Sequence, residues 1–349
     1  MRNGINIQLS IRNAQRSTRV STSVAFALLI VSSFSFAEDP KLAILSSERW
    51  GNVFGGKEEV FHFVVTGQEA FKGKAGWVFA VDGATVARGE RDIAIDPANP
   101  ATIEVKLRIP TTREGVVLSA TLGITVGDAS FKKPIWIFPE NPFADRTQWL
   151  KELKITLFDP EKKTAELFDK IEIPYTVLLS AEALAEMKDG VVIIGEGVSF
   201  ADYRGLAGAM THAAANGAVV LCLSPSGGTM PLAGTDGVEL PQPRSQRWMR
   251  AEVITELDKR LDAIAWPPDG KIVARSFVTK VDRGRIVSES VNGAEGWPWM
   301  ETRFGSKGKL LICGFGIVEK WDASPSPRFL LARLFEYLNE EKSETENKR

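Results

Sequence analysis

The stretch GAVVLCLSPSGG, residues 217–228, decides how the second half of the chain is read. A continuous aliphatic run is interrupted by Ser, Pro and Gly, the signature of a strand buried on both faces that ends in a tight turn. DGVVIIGEG, residues 189–197, has the same form, and the small-residue stretch 199–216 between them reads as a helix. Working upstream, YTVLL is a strand and 181–187 a helix, preceded by the helix 161–170 and the strand KITLFDP, which Pro160 ends. Downstream, Ile254, Leu257, Leu261 and Ile264 keep a helical period, RSFVTKV, RIVSESV and WPWMETRF read as added strands, and KLLICGFG returns to the core. A last helix begins at Ser326-Pro327, a cap followed by proline at the first helical position, and runs to about Leu338 with Phe329, Leu330, Leu334, Phe335 and Leu338 on one face. Strands exchanged with helices at this spacing imply right-handed crossovers and a doubly wound, mainly parallel sheet.

Before residue 143 the pattern is different. EEVFHFVV, GWVFAV, ATVARGERDI, TIEVKLRI, VVLSATLGITV and ASFKKPIWIF are short, rich in β-branched and aromatic residues, and separated by Gly, Asp, Asn or Pro. In TIEVKLRI the apolar Ile103, Val105, Leu107 and Ile109 alternate with Glu104, Lys106 and Arg108, which places one face in a core and the other in water. This is the pattern of an Ig-like β-sandwich. The expected organisation is a multidomain β and α/β chain: a signal peptide at 1–37, the sandwich at 38–142, the α/β domain at 143–339 and a disordered charged tail at 340–349, with residues 140–143 as linker.

The leader carries Arg2, Arg12, Arg16 and Arg19, then the apolar run 24–31, then Ser35-Phe36-Ala37 at a signal-peptidase site. The apolar run is well short of the roughly 20 residues a spanning helix needs. Export to the periplasm or the extracellular space follows as the expectation, with no membrane span once the leader is cleaved. With 43 basic and 44 acidic residues and no long run of either sign, the chain lacks the electrostatic footprint of a nucleic-acid binder. Cys222 and Cys313 lie in apolar strands, so buried free thiols are the simpler reading and a bridge the alternative. No ligand spacing suggests a metal, and no cofactor motif is present.

DGVVIIGEG, the small-residue helix and GAVVLCLSPSGG together resemble the class I glutamine amidotransferase-like fold, a flavodoxin-like doubly wound architecture. GKLLICGFGIVEKW and the Pro-capped helix are similar to the close of the amidotransferase-like accessory domains of some secreted glycosidases, which commonly lack catalytic residues. The resemblance implies an oxyanion loop at the first glycine-ended strand and a cysteine nucleophile at the turn of the second. This chain has Ser224, Pro225 or Ser226 there and never cysteine, and no histidine follows His212 to act as base.

The residues therefore support a non-catalytic binding or interaction protein, carbohydrate-associated, whose partner is a neutral carbohydrate or another envelope protein. A hydrolase using Ser226 or the Glu196 and Asp202 pair is one alternative, with Ser224 as the further nucleophile candidate; a structural component of an envelope assembly is the other. The ligand-binding candidates are Gly195, Glu196, Gly197, Ser226 and Gly227 at the strand ends, and Trp297 and Trp299, which fall on one face of an expected strand and offer flat indole platforms for sugar rings. His212, 12 residues into the expected helix, sits about 18 Å from the strand ends and out of hydrogen-bond reach. His62 belongs to the sandwich.

Overall fold

The computed structural model describes residues 41–233, 239–273, 278–281, 284–287, 296–305 and 307–346. The leader expected at 1–37 lies outside these residues, as do parts of RSFVTKV and RIVSESV. From Pro40 onward the chain forms one compact unit containing a β-rich part and an α/β part.

In the β-rich part, β1 (Leu42–Ser46), β3 (Glu58–Gly67) and β6 (Ala101–Arg108) make an antiparallel sheet in the order β1-β3-β6. A second sheet has the order β2-β8-β7-β4-β5, from β2 (Asn52–Phe54), β4 (Phe71–Val81), β5 (Ala84–Ile95), β7 (Leu118–Val126) and β8 (Ala129–Phe138). Its pairs are antiparallel except β2 with β8. Every second residue of β6 is buried, and these side chains share one core with Phe61, Phe63, Phe79, Leu122 and Ile137 from both sheets. The alternation read from TIEVKLRI is thus the inward face of a two-sheet packing.

In the α/β part, seven strands run in the order β10-β9-β11-β12-β18-β17-β14. They are β9 (Ile155–Phe158), β10 (Thr176–Val177), β11 (Val191–Ile194), β12 (Val219–Leu223), β14 (Ser245–Met249), β17 (Trp299–Phe304) and β18 (Gly308–Cys313). β10, β9, β11, β12 and β18 are parallel; β17 and β14 extend the sheet antiparallel. The strands β13 (Thr229–Met230), β15 (Val278–Val281) and β16 (Gly284–Val287) form a separate small sheet. β11 and β12 are buried at every position. Val219, Leu221 and Leu223 face one side with α1 (Thr147–Glu152), α2 (Lys163–Lys170), α5 (Val253–Leu257) and α6 (Pro325–Glu346); Val220 and Cys222 face the other with α3 (Ala181–Ala185) and α4 (Leu206–Asn216).

Several boundaries differ from the sequence-based expectation. α4 starts at Leu206 rather than near 199, because the Ser199 hydroxyl accepts from the amides of Ala201 and Asp202 to close a turn, and Gly205 sits at φ 87°, outside helical space. The helical period from Ile254 produces only α5: Asp258 turns away at φ −154° to bind Arg260 and Arg333, and Ile264 is left exposed. α6 opens at Pro325, one residue after Ser324, so Ser326 is inside the helix and not its cap. It also continues to Glu346, so residues 340–346 are helical and not a disordered tail; no Gly or Pro interrupts this stretch of Glu, Lys, Ser and Thr. The two short strands β1 and β2 carried no clear pattern and were not expected.

The stretch read as a linker is also fixed. Phe143 is buried against Phe335 with ring centroids 5.8 Å apart, and Phe138 meets Phe329 at 4.6 Å. Beside them the Asp262 carboxylate accepts from the amides of Gly51 (3.1 Å) and Asn52 (2.9 Å), while the Ser326 hydroxyl receives the Asn52 side-chain amide at 2.8 Å and the Asp262 backbone amide at 3.2 Å. A polar knot thereby ties β2 to the start of α6.

Candidate functional site

The carboxyl ends of the parallel strands are where open α/β sheets bind ligands, and the glycine and serine turns of the sequence meet there. β12 ends in Ser224, whose φ of 27° puts a non-glycine residue in the left-handed region. Such a conformation costs about 1–3 kcal/mol and persists only where its surroundings enforce it. Here the Ser224 amide donates to the Cys313 carbonyl at 2.7 Å, and its carbonyl accepts from Gly197 at 3.0 Å. The hydroxyl is fully buried and donates to the Gly314 carbonyl at 3.3 Å. A serine in this state donates its hydroxyl proton to a backbone carbonyl and not to a base.

Ser226 is stitched to the loop after β11. Its amide donates to the Val198 carbonyl at 3.0 Å and its hydroxyl to the Gly197 carbonyl, with Pro225 buried between the two serines. The glycines serve this closure. A Cβ on Gly228 would lie 2.7 Å from Phe200 and Ala201, and one on Gly195 would lie 2.3 Å from the Asp159 carboxylate. Gly197 and Gly227 adopt φ of 91° and 67°. Gly195 and Gly228 thus allow loops to approach each other, while Gly197 and Gly227 supply the left-handed backbone of the turns.

Glu196 is almost fully buried. Its carboxylate accepts from the amides of Val318 (2.7 Å) and Glu319 (2.9 Å), and its own amide donates to Thr164 at 2.8 Å. Asp202 is exposed. The two therefore differ in environment and in partners: one holds the loop after β18, the other is solvated, and no contact makes them an acid pair.

Neither histidine supplies a base. His212 is exposed on α4, seventh of its 11 residues, about 9 Å along the helix from its start at Leu206. His62 lies in β3, its Nδ1 2.7 Å from Glu48. The tryptophan pair is separated as well. Trp297 precedes β17 and is half-buried, with the Arg250 guanidinium 5.0 Å from its ring; Trp299 is fully buried, edge-on to Tyr337 at 6.1 Å. A fully buried indole cannot be a sugar platform, so that expectation is corrected for Trp299: the strand is covered by α6 on the face it uses.

The sequence reading passed over Asp159, at the end of β9 beside Gly195. Its Oδ2 accepts from Ala165 at 2.8 Å, its Oδ1 is buried without a hydrogen-bond partner, and burial pushes its carboxyl above the ordinary aspartate range. An acid directly after a parallel strand, where β9 and β11 diverge in sequence order, was the available signal. No hydrogen bond links it to either serine.

The two cysteines are adjacent in the sheet but cannot join. Cys222 pairs with Ile312 and Leu223 with Cys313, so one residue of register separates them, and their side chains enter opposite cores. Both are free and buried; burial pushes the Cys313 thiol up to about 12, and moves Cys222 in the same direction.

Among the described residues, no group of three or more His, Cys, Asp or Glu is arranged to hold a metal, and no helix is long and apolar enough to cross a membrane. The concavities lined by Arg247 and Trp299, by Arg244 and Lys309, and by Asn141 and Phe329 do not include residues 195–197 or 224–228.

No family model matches the chain, and no curated protein matches it. Among solved structures it is similar to the sporulation control protein Spo0M from Bacillus subtilis, at 15% identity and TM-score 0.24 over 32% of this chain and 54% of that one. It is also similar to a β-glucosidase from Listeria innocua in complex with gluconolactone, at 10% identity and TM-score 0.22 over 28% and 16% of the two chains. A cycloisomaltooligosaccharide glucanotransferase from Paenibacillus sp. matches at 10% identity and TM-score 0.25 over 49% and 26%. The chain spans little more than half of Spo0M and about a quarter or less of the two larger enzymes.

Proposed function

We propose that this is an exported, non-catalytic interaction protein of the cell envelope, in which an Ig-like β-sandwich is fused to a degenerate, flavodoxin-like amidotransferase domain. One observation carries the reading: the two loops that would present a nucleophile and an oxyanion hole are hydrogen-bonded to each other through Ser224, Ser226 and Gly197, leaving both hydroxyls on backbone carbonyls. Acyl transfer by serine needs a base within about 3 Å. The strand order β10-β9-β11-β12-β18, a 2-1-3-4-5 winding of the parallel strands, supports the flavodoxin-like assignment. Burial of Trp299 removes one of the two indole platforms a neutral carbohydrate partner would use.

The test uses the purified chain with ester, amide and glycoside substrates and a serine-directed fluorophosphonate. No turnover and no adduct is the expected result. Turnover that disappears in Ser226→Ala or Glu196→Gln would replace this reading with the hydrolase.

A further inference from the structure

Residues of α5, α6, β14 and β17 enclose a cavity of ≈ 320 Å³ on the helix-covered face of the sheet. The register explains why their side chains meet. Met249 of β14 lies directly opposite Trp299 of β17, and Arg247 opposite Glu301, so all four project to one face. Val253 and Leu257 are four apart on α5 and share one side of it. Met249, Val253, Leu257 and Trp299 together give the cavity an apolar wall. Arg247 and Glu256, which also line it, are exposed and place it at the surface.

The polar groups beside that wall differ in how fully they are engaged. All three nitrogens of Arg333 are taken: Nε and Nη2 face Asp258 at 3.1 Å, and Nη1 donates to Glu336. Glu336 in turn accepts from Arg146. Arg247 uses Nη2 alone, donating to Glu301 (2.9 Å) and to the Tyr337 hydroxyl (2.8 Å); its Nε and Nη1 have no partner among the described residues. The indole N–H of Trp299 is buried and has no hydrogen-bond partner either. A buried donor with its bond unmade is unfavourable, and native structures keep few of them. The ring is packed edge-on to Tyr337, which holds that N–H in place.

We infer that this cavity binds a small amphipathic carboxylate, an aliphatic or aromatic acid whose hydrocarbon lies against Met249, Val253 and Leu257. Its two oxygens are shared between Arg247 and the Trp299 N–H. Both unengaged groups are donors, a carboxylate only accepts, and a hydrogen bond between ionised partners is about twice as strong as a neutral one. Arg247 stands one residue pair from Trp299 along the ladder, a diagonal of about 7–8 Å that long side chains cross. Rotation of the exposed Arg247 side chain admits the ligand to the indole. A volume of ≈ 320 Å³ is at the lower end of small-molecule sites and suits one short acyl or aryl chain. The cavity includes none of the serine-turn residues, so the inference goes beyond the proposed function and holds whether or not those turns are inert.

The test follows the indole N–H resonances of the nine tryptophans in the full chain, with the Trp299 peak assigned by triple-resonance spectroscopy. Octanoate, octanol and octylammonium share a hydrocarbon and differ in head group. Octanoate is expected to move the Trp299 peak and to bind at least tenfold more tightly than the other two. R247Q is expected to weaken octanoate at least tenfold and to leave octanol unchanged. Circular dichroism and melting without ligand check the fold of R247Q, and the head-group comparison on the parent chain needs no substitution. Octanol binding as tightly as octanoate would show an apolar cavity without a carboxylate site, and octylammonium binding more tightly would show a cation held at Glu256. Octanoate that leaves the Trp299 peak in place, or binds R247Q as well as the parent, would be held elsewhere. Each of these results overturns the assignment.

Discussion

A buried carboxylate whose two oxygens each accept a backbone amide, as in Glu196, is a structural fastener. Glu196→Gln keeps one acceptor and sets an amide N–H₂ against the second N–H, so it is expected to cost about 2–3 kcal/mol, read as a fall in the urea midpoint. Asp202→Asn, at an exposed site, should change stability by less than about 0.5 kcal/mol. Equal effects would contradict the separation of the two acids. Gly195→Ala should be destabilising by about 1–3 kcal/mol because its methyl meets the Asp159 side chain, and part of that cost should vanish in an Asp159→Ala background. Residue types at the turns were legible in the sequence; the direction of their bonds was not. Glu196 and Val318 are 122 residues apart, and no local pattern announces a bond of that span.

At the scale of elements, the strands with strong patterns appeared where expected: β6 from its alternation, β11 and β12 from their continuous aliphatic runs. The misses have local causes. A serine turn and Gly205 delayed α4, and arginine partners drew Asp258 out of a helical path. β1 and β2 are too short to carry a period and depend on pairing with distant strands. The one-residue offset between Cys222 and Cys313 gives a direct check. Native protein should show two thiols that react with iodoacetamide at pH 8 only as fast as the chain opens, and reductant should leave the melting temperature unchanged. A thiol labelled at the rate of a free peptide would place it outside the core. In α6, Leu334→Ala removes a fully buried side chain and should cost about 2–5 kcal/mol in chemical denaturation.

For the whole molecule, the knot at Asp262 sets a pH dependence. Desolvation raises its carboxyl to about 6, against the opposing pull of the Gly51 and Asn52 amides and the Lys133 charge. Folding therefore favours the protonated form: this group's contribution is largest below the unfolded value near pH 4 and is lost as pH rises through about 6. The fall amounts to as much as about 3 kcal/mol. Asp262→Asn is expected to flatten the stability profile between pH 4 and 6 while lowering its level through lost acceptors, and an unchanged slope would show that Asp262 does not titrate in that window. The length and the change of pattern near residue 143 made two regions legible in the sequence, yet the bonds that unite them join residues 51, 52, 262 and 326, and nothing in either neighbourhood reveals the other.

That union constrains the order of events in the cell. Residues 51 and 52 are among the first of the described chain to leave the ribosome, so their backbone amides go unanswered until Asp262 follows, and the Asn52 side chain until Ser326, among the last, is made. Cutting the chain between the lobes would strand Phe138 in water on one side and Phe329 on the other. The unit of maturation, and of any exchange between proteins, is accordingly the pair of lobes and not either one.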